Sequence, residues 1–179
     1  VTLPNTLSGI GKYAFYGCSN LASVEIPAGV TSIGASAFYG CSNLTSVELP
    51  EGLVTINGSV FYNCSSLTDI HLPESLATIG ASAFRGCSSL RRLTIPESCK
   101  TVPQYAFEKC NNLQELTLPS TCIACYDYSF NGCTSLKKIN CQAETPPAVY
   151  ANTFSSSIYT RATLKVPEAY VDKYKAANI

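Results

Sequence analysis

The chain has no methionine and no tryptophan, and His71 is the single histidine among its 179 residues. One histidine excludes an H-E-x-x-H zinc motif, and no P-loop, dinucleotide fingerprint or nucleophile elbow appears. Charge is scarce. Charged residues make up 13%, with twelve basic against twelve acidic groups, so there is no global field to hold nucleic acid or an anionic bilayer. Apolar residues reach 46%, yet no apolar run approaches the roughly 18 residues of a membrane helix. The lack of a signal peptide does not argue for the cytoplasm, because such leaders are removed or trimmed. The length allows one ordinary domain with a sizeable core.

What the sequence has in abundance is a period. Cys18, Cys41, Cys64, Cys87, Cys110 and Cys133 recur every 23 residues, as do Phe15, Phe38, Phe61, Phe84, Phe107 and Phe130. Pro4, Pro27, Pro50, Pro73, Pro96 and Pro119 keep the same step. Apolar columns run in register with them: Leu21 to Leu136, Val24 to Ile139, Ile26 to Leu118, and two columns past the proline that end in Cys122 and Cys125. Such self-similarity is the signature of stacked units, none of which can bury its apolar side alone.

Within a unit, Leu44-Thr45-Ser46-Val47-Glu48-Leu49-Pro50 alternates apolar and polar residues at its end, which predicts a strand with one buried face. Proline removes a ladder donor and ends it. Val30-Thr31-Ser32-Ile33-Gly34 suits a second short extended segment, and Ala35 to Cys41 a single helical or 3-10 turn closed by Gly40. Seven parallel strands spaced by about 4.8 Å would form one sheet roughly 30 Å wide.

The pattern weakens after Cys133, where Thr145-Pro146-Pro147 breaks the register and Phe154 arrives one residue late. A strand at 162–166 survives, and Pro167-Glu168 has the form of a helix start, with Tyr170, Val171, Tyr174 and Ala177 able to share one face. Val1-Thr2-Leu3-Pro4 falls in mid-repeat, so further repeats are expected upstream and the sheet edge there is raw.

The columns L-x-x-V-x-L-P-x-x-L-x-x-I-x-x-x-A-F-x-x-C resemble the BspA-type leucine-rich repeat family of host-associated bacteria and some protists. The likeness spans residues 1–141, and the tail from Thr145 to Tyr174 resembles the closing segment of bacterial members. The resemblance implies a secreted or surface-anchored protein that binds host matrix proteins or neighbouring cells, and the family has no shared catalytic residues to transfer. Cys99, Cys122 and Cys125 depart from its aliphatic columns. The fold class is therefore read as α/β: a right-handed leucine-rich-repeat solenoid with a parallel β-sheet on one face, short extended segments and helical or 3-10 turns on the other, and a C-terminal cap. Residues 1–141 form the array, its first repeat truncated; residues 142–179 form an irregular final repeat with a capping strand and helix.

Ten cysteines would ordinarily suggest disulfides or zinc. Stacking keeps the Cβ atoms of one column near the strand spacing, longer than a disulfide needs, so most read as small buried thiols. Cys99 over Cys122 is the place for a bridge if there is one. Cys122-Ile123-Ala124-Cys125 has C-x-x-C spacing but no second pair to complete a zinc site. No metal or cofactor is expected.

The outward side chains of the sheet are the candidate site: Glu25, Glu48, Asp69, His71, Arg91, Arg92, Gln114, Glu115, Lys137 and Lys138. Charges on a rigid sheet can steer and register an extended partner, although outward strand residues must be polar in any case. Glu25 beside Glu48 also has the carboxylate spacing of a retaining glycosidase, but catalysis needs a cleft that shifts one pKa. Tyr16, Tyr39 and Tyr62 form an alternative binding column, which could equally shelter the junction between turns. The function expected is non-enzymatic recognition of, or adhesion to, a host matrix or cell-surface protein, with a glycan as a further candidate partner. The alternatives are a structural spacer that displays another domain and, more remotely, a carbohydrate-active enzyme. The chain is expected to be a monomer, or to associate weakly through its edge.

Overall fold

A computed structural model describes residues 1–177 and shows a solenoid of parallel strands, about seven turns long. The front wall holds strands Ser23–Glu25, Ser46–Glu48, Arg92–Thr94, Glu115–Leu118, Lys138–Cys141 and Thr163–Lys165. Register is kept from turn to turn: Val24 pairs with Val47, and Leu93, Leu116, Ile139 and Leu164 follow one another. In the first three of these strands the central residue faces inward and its neighbours face out.

The front wall does not form the one continuous seven-stranded sheet expected. A two-stranded ladder at Ser23–Glu25 and Ser46–Glu48 is separated from a four-stranded one that begins at Arg92. Between them Asp69, Ile70 and His71 occupy the strand position without ladder pairing, although Ile70 stays buried. Thr68 still donates its N–H to the Thr45 carbonyl at 3.3 Å. Aspartate is among the residues least suited to strands, and its placement coincides with the lapse.

The second wall is built from two-residue strands, Gly9–Ile10 through Thr78–Ile79, then Thr101–Val102, Ala124–Cys125 and Ala148–Val149. It too is divided, between Ile79 and Thr101. In earlier turns Gly34 donates its N–H to the Ile10 carbonyl and Gly80 to that of Ile56, both at 2.8 Å. Pro103 stands next in that column and has no N–H to give Ile79. Glycine suits the column because a Cβ at Gly34 would come within 2.6 Å of Lys12 N, and one at Gly80 within 2.4 Å of Gly58 N. Asn57 holds its place with a side-chain amide bond to the Ile33 carbonyl at 2.8 Å.

The third wall takes the 3-10 form of the expected turn. Its bonds have 3-10 spacing, as from Ala37 N–H to Gly34 O and from Cys41 N–H to Phe38 O. Each turn also contains left-handed residues, for example Ser36 and Gly40 in one and Ser82 and Gly86 in another. These stop a helix and point backbone N–H groups sideways, so Phe38 donates to Val60 O and Phe61 to Ala83 O in the following turn.

The core follows the columns. Seven phenylalanines from Phe15 to Phe154 stack with centroids 5.0–5.6 Å apart. All ten cysteines are free thiols, and all but Cys18 are buried. Beyond filling space, they hold neighbouring turns together: Cys41 donates to Phe15 O, Cys64 to Phe38 O, Cys87 to Phe61 O, Cys110 to Phe84 O and Cys133 to Phe107 O, at 3.1–3.4 Å.

At the C-terminal end lie a helix α1 (Ile158–Arg161), the strand Thr163–Lys165, a 3-10 turn Glu168–Tyr170 and a helix α2 (Val171–Ala176). Tyr174 on α2 is buried; its hydroxyl meets the Cys141 thiol at 3.1 Å and donates to Ala143 O at 2.9 Å. Lys173 pairs with Glu144 at 2.6 Å. The capping segment expected at 142–179 extends over residues 178 and 179, which lie outside the described residues.

Candidate binding face

Register brings three outward columns together on the front wall. Ser23, Ser46, Asp69, Arg92, Glu115 and Lys138 form the first, and Glu25, Glu48, His71, Thr94, Thr117 and Asn140 the second. Arg91, Gln114 and Lys137 flank them, linked by N–H bonds from Gln114 to Arg91 O and from Lys137 to Gln114 O. The ladder places Glu25 beside Glu48 as the spacing requires, and both are exposed. Asp69 and His71 fall where the ladder lapses, and His71 lies 3.8 Å from Glu51. Thr68, Asp69, Arg91, Arg92 and Gln114 line a depression at that break.

The face divides by sign. Glu25, Glu48 and Asp69 occupy its first three turns, and Arg91, Arg92, Lys137 and Lys138 occupy later ones. Glu115 is the acidic exception, and it is internally engaged: Lys138 donates to its carboxylate at 2.5 Å and Asn140 at 2.9 Å. Those two hydrogen bonds, Lys138 first, hold its carboxyl below the usual range.

The tyrosine column presents edges, not faces. Tyr16 stacks on Tyr39 at 4.8 Å and Tyr39 on Tyr62 at 4.6 Å. Arg85 takes the next place, its guanidinium 5.5 Å from the Tyr62 ring and 5.4 Å from that of Tyr105, and it meets Glu108 at 2.7 Å. Two further stacks, Tyr105 on Tyr128 at 5.0 Å and Tyr126 on Tyr150 at 5.5 Å, are not among the columns read from the sequence. The 23-residue step between Tyr105 and Tyr128 could have shown the first; a one-residue insertion hides the second.

Glu108 is buried, and the pair makes a prediction. Glu108→Ala should leave Arg85 without its counter-charge and cost about 3 kcal/mol, the low end for a broken buried pair because the guanidinium keeps some water. Replacing both residues by leucine should recover most of that loss. Urea unfolding midpoints test it; a loss below about 1 kcal/mol for Glu108→Ala would mean that water satisfies Arg85 unaided.

Among the described residues no three His, Cys, Asp or Glu side chains converge as a metal site requires. Cys122 and Cys125 do interact, and their thiol–thiol contact lowers the pKa of Cys122 and raises that of Cys125. No helix among the described residues is long and apolar enough to cross a membrane.

Comparison with known proteins agrees with the geometry. The BspA type leucine rich repeat region matches the chain in six copies, over residues 1–112 and 55–174. A leucine rich repeat protein of T. pallidum is 31% identical over 94% of this chain and 85% of its own, with a TM-score of 0.80. A leucine-rich repeat protein from Bacteroides ovatus is 26% identical (TM-score 0.63), with 87% of this chain and 52% of that one covered. A leucine rich cell surface protein from Faecalibacterium prausnitzii is 28% identical (TM-score 0.65), covering 84% of this chain and 49% of the other. The chain thus spans about half the length of these last two. None of the curated proteins matches it.

Proposed function

Because the chain belongs to the BspA-type leucine-rich repeat family, whose repeats serve as scaffolds for protein–protein interaction, we propose that its front wall recognises a protein partner and mediates adhesion at a bacterial surface. The observation that carries this reading is the division of charge along the front wall, with Glu25, Glu48 and Asp69 followed by Arg91, Arg92, Lys137 and Lys138 across the break in its ladder. Fixed charges of opposite sign give a partner both an orientation and a register. The family and its structural neighbours are generally non-enzymatic, and the neighbour described as a cell surface protein supports the location. Host matrix or cell-surface proteins are the proposed partners.

Size sets the strength. Strands about 4.8 Å apart, each showing some 16 Å of length, give a face of roughly 500 Å², below the ~800 Å² per partner of a standard interface. Binding by one copy is weak, and several copies together reach useful avidity. Replacing Arg91, Arg92, Lys137 and Lys138 by glutamate should lower capture by immobilised host matrix proteins at least tenfold at low salt, with circular dichroism unchanged. Equal capture by the folded variant would refute recognition by this face and leave the spacer reading in its place.

A further inference from the structure

The last turn of the solenoid is hollow. A cavity of about 290 Å³ lies between the ends of the two walls and the closing helices, bordered by Cys141, Phe154, Tyr159, Ala162, Leu164 and Tyr174 among others. Its origin is visible in the columns. Ile26, Leu49, Leu72, Ile95 and Leu118 fill the equivalent interior position in earlier turns, and Cys141 stands there in this one. A shorter side chain leaves space that its neighbours close only in part.

The wall chemistry restricts what can enter. No charged side chain lines the cavity, and its two buried polar groups already satisfy each other, the Cys141 thiol with the Tyr174 hydroxyl and that hydroxyl with Ala143 O. An ion would arrive unpaired, at a high desolvation cost. Apolar cavities of about 150 Å³ stay dry and take up benzene, so this one has room for two fused rings.

The shape points to a flat ligand. Phe154 ends the phenylalanine stack, lying on Phe130 at 5.4 Å and 11°, and no further phenylalanine follows it. Tyr159 meets Phe154 edge-on at 6.4 Å and 84°. A planar ring beside Phe154 would prolong the column at the spacing the protein itself uses, with Tyr159 as a side wall. Partly exposed Val149 and Leu164 leave a way in. We propose that this terminal cavity is a binding site for a compact, neutral aromatic molecule of one or two fused rings. It lies at the end of the array, and it stands or falls independently of recognition by the charged front wall.

Indole is the probe: with no tryptophan in the chain, excitation at the red edge of its absorption, beyond that of tyrosine, reads indole emission alone. Added protein should shift indole emission to the blue in a saturable way, and indole should raise the melting temperature saturably. Indole-3-acetate, which carries a carboxylate, should bind at least about tenfold more weakly. Cys141→Leu restores the aliphatic side chain of the column and should weaken indole binding by about tenfold or more while retaining the fold by circular dichroism. Ala162→Leu fills the space from another side, should a Cys141→Leu chain fail to fold. The proposal is overturned by the lack of a saturable shift with the wild-type chain, by equally tight binding of the acid, or by undiminished indole binding in a folded, filled variant.

Discussion

Raising the pH from 7 to 9.5 in the presence of a reductant should unfold this protein. Eight cysteines, Cys41, Cys64, Cys87, Cys99, Cys110, Cys125, Cys133 and Cys141, have thiols pushed above their ordinary range. Burial is the main cause in seven; in Cys125 contact with Cys122 comes first and burial second. Cys41 is raised to about 11, and Cys99 and Cys133 to about 12. The folded chain therefore keeps protons that the unfolded chain, with thiol pKa values near 8.5, gives up. Stability is complete below about pH 8.5 and falls as the pH climbs toward the folded values. Each strongly raised thiol loses about 1 kcal/mol or a little more per pH unit. Cys122, whose thiol is lowered, offsets Cys125. Cys41, Cys64, Cys87, Cys99, Cys110 and Cys133 together forfeit on the order of 8 kcal/mol at pH 9.5, within the range of a domain's whole stability. Far-UV circular dichroism and melting temperature as a function of pH measure the effect, and a melting temperature at pH 9.5 within a few degrees of that at pH 7 would sink it. The same burial makes these thiols poor nucleophiles.

The second large effect is expected from Phe61→Ala. Phe61 is fully buried, with Phe38 at 5.4 Å on one side and Phe84 at 5.2 Å on the other. Truncation opens a void between two turns that are themselves locked by backbone and thiol hydrogen bonds, so collapse into it is limited and the cost is about 3–5 kcal/mol. At the size of this chain that is a fall of roughly 10 °C in melting temperature. Phe15 begins the same column but is only half-buried, and Phe15→Ala should cost distinctly less. Thermal melts of the two variants decide the matter: equal losses would mean that the stack is not the cooperative core that a nearest-neighbour array requires.

Much of this molecule is legible in the pattern of residue types. The phenylalanine, cysteine and aliphatic columns foretell the stacking and the buried face of the strands within the array, and Pro167-Glu168 the closing helix that carries Tyr174. Three things are not legible there. The lapse of the front ladder at Asp69 depends on how one poorly suited residue fits between two formed neighbours. The split of the second wall turns on Pro103, whose missing donor matters only once its position opposite Ile79 is known. Tyr62, Arg85 and Glu108 share one column at the 23-residue step, but the approach of Tyr105, from a neighbouring column, to the Arg85 guanidinium is set by packing alone.

Residue order settles which side chains repeat, and repetition at a constant step forces like onto like, because only stacking removes every apolar column from water. Packing in three dimensions settles where the repetition fails: the break in each sheet, the carbonyls that the thiols reach, the pairing of Glu115 with Lys138, and the space left beside Phe154 when Cys141 takes a leucine's place. Those features depend on distances between neighbouring turns, and a pattern of residue types carries no distances.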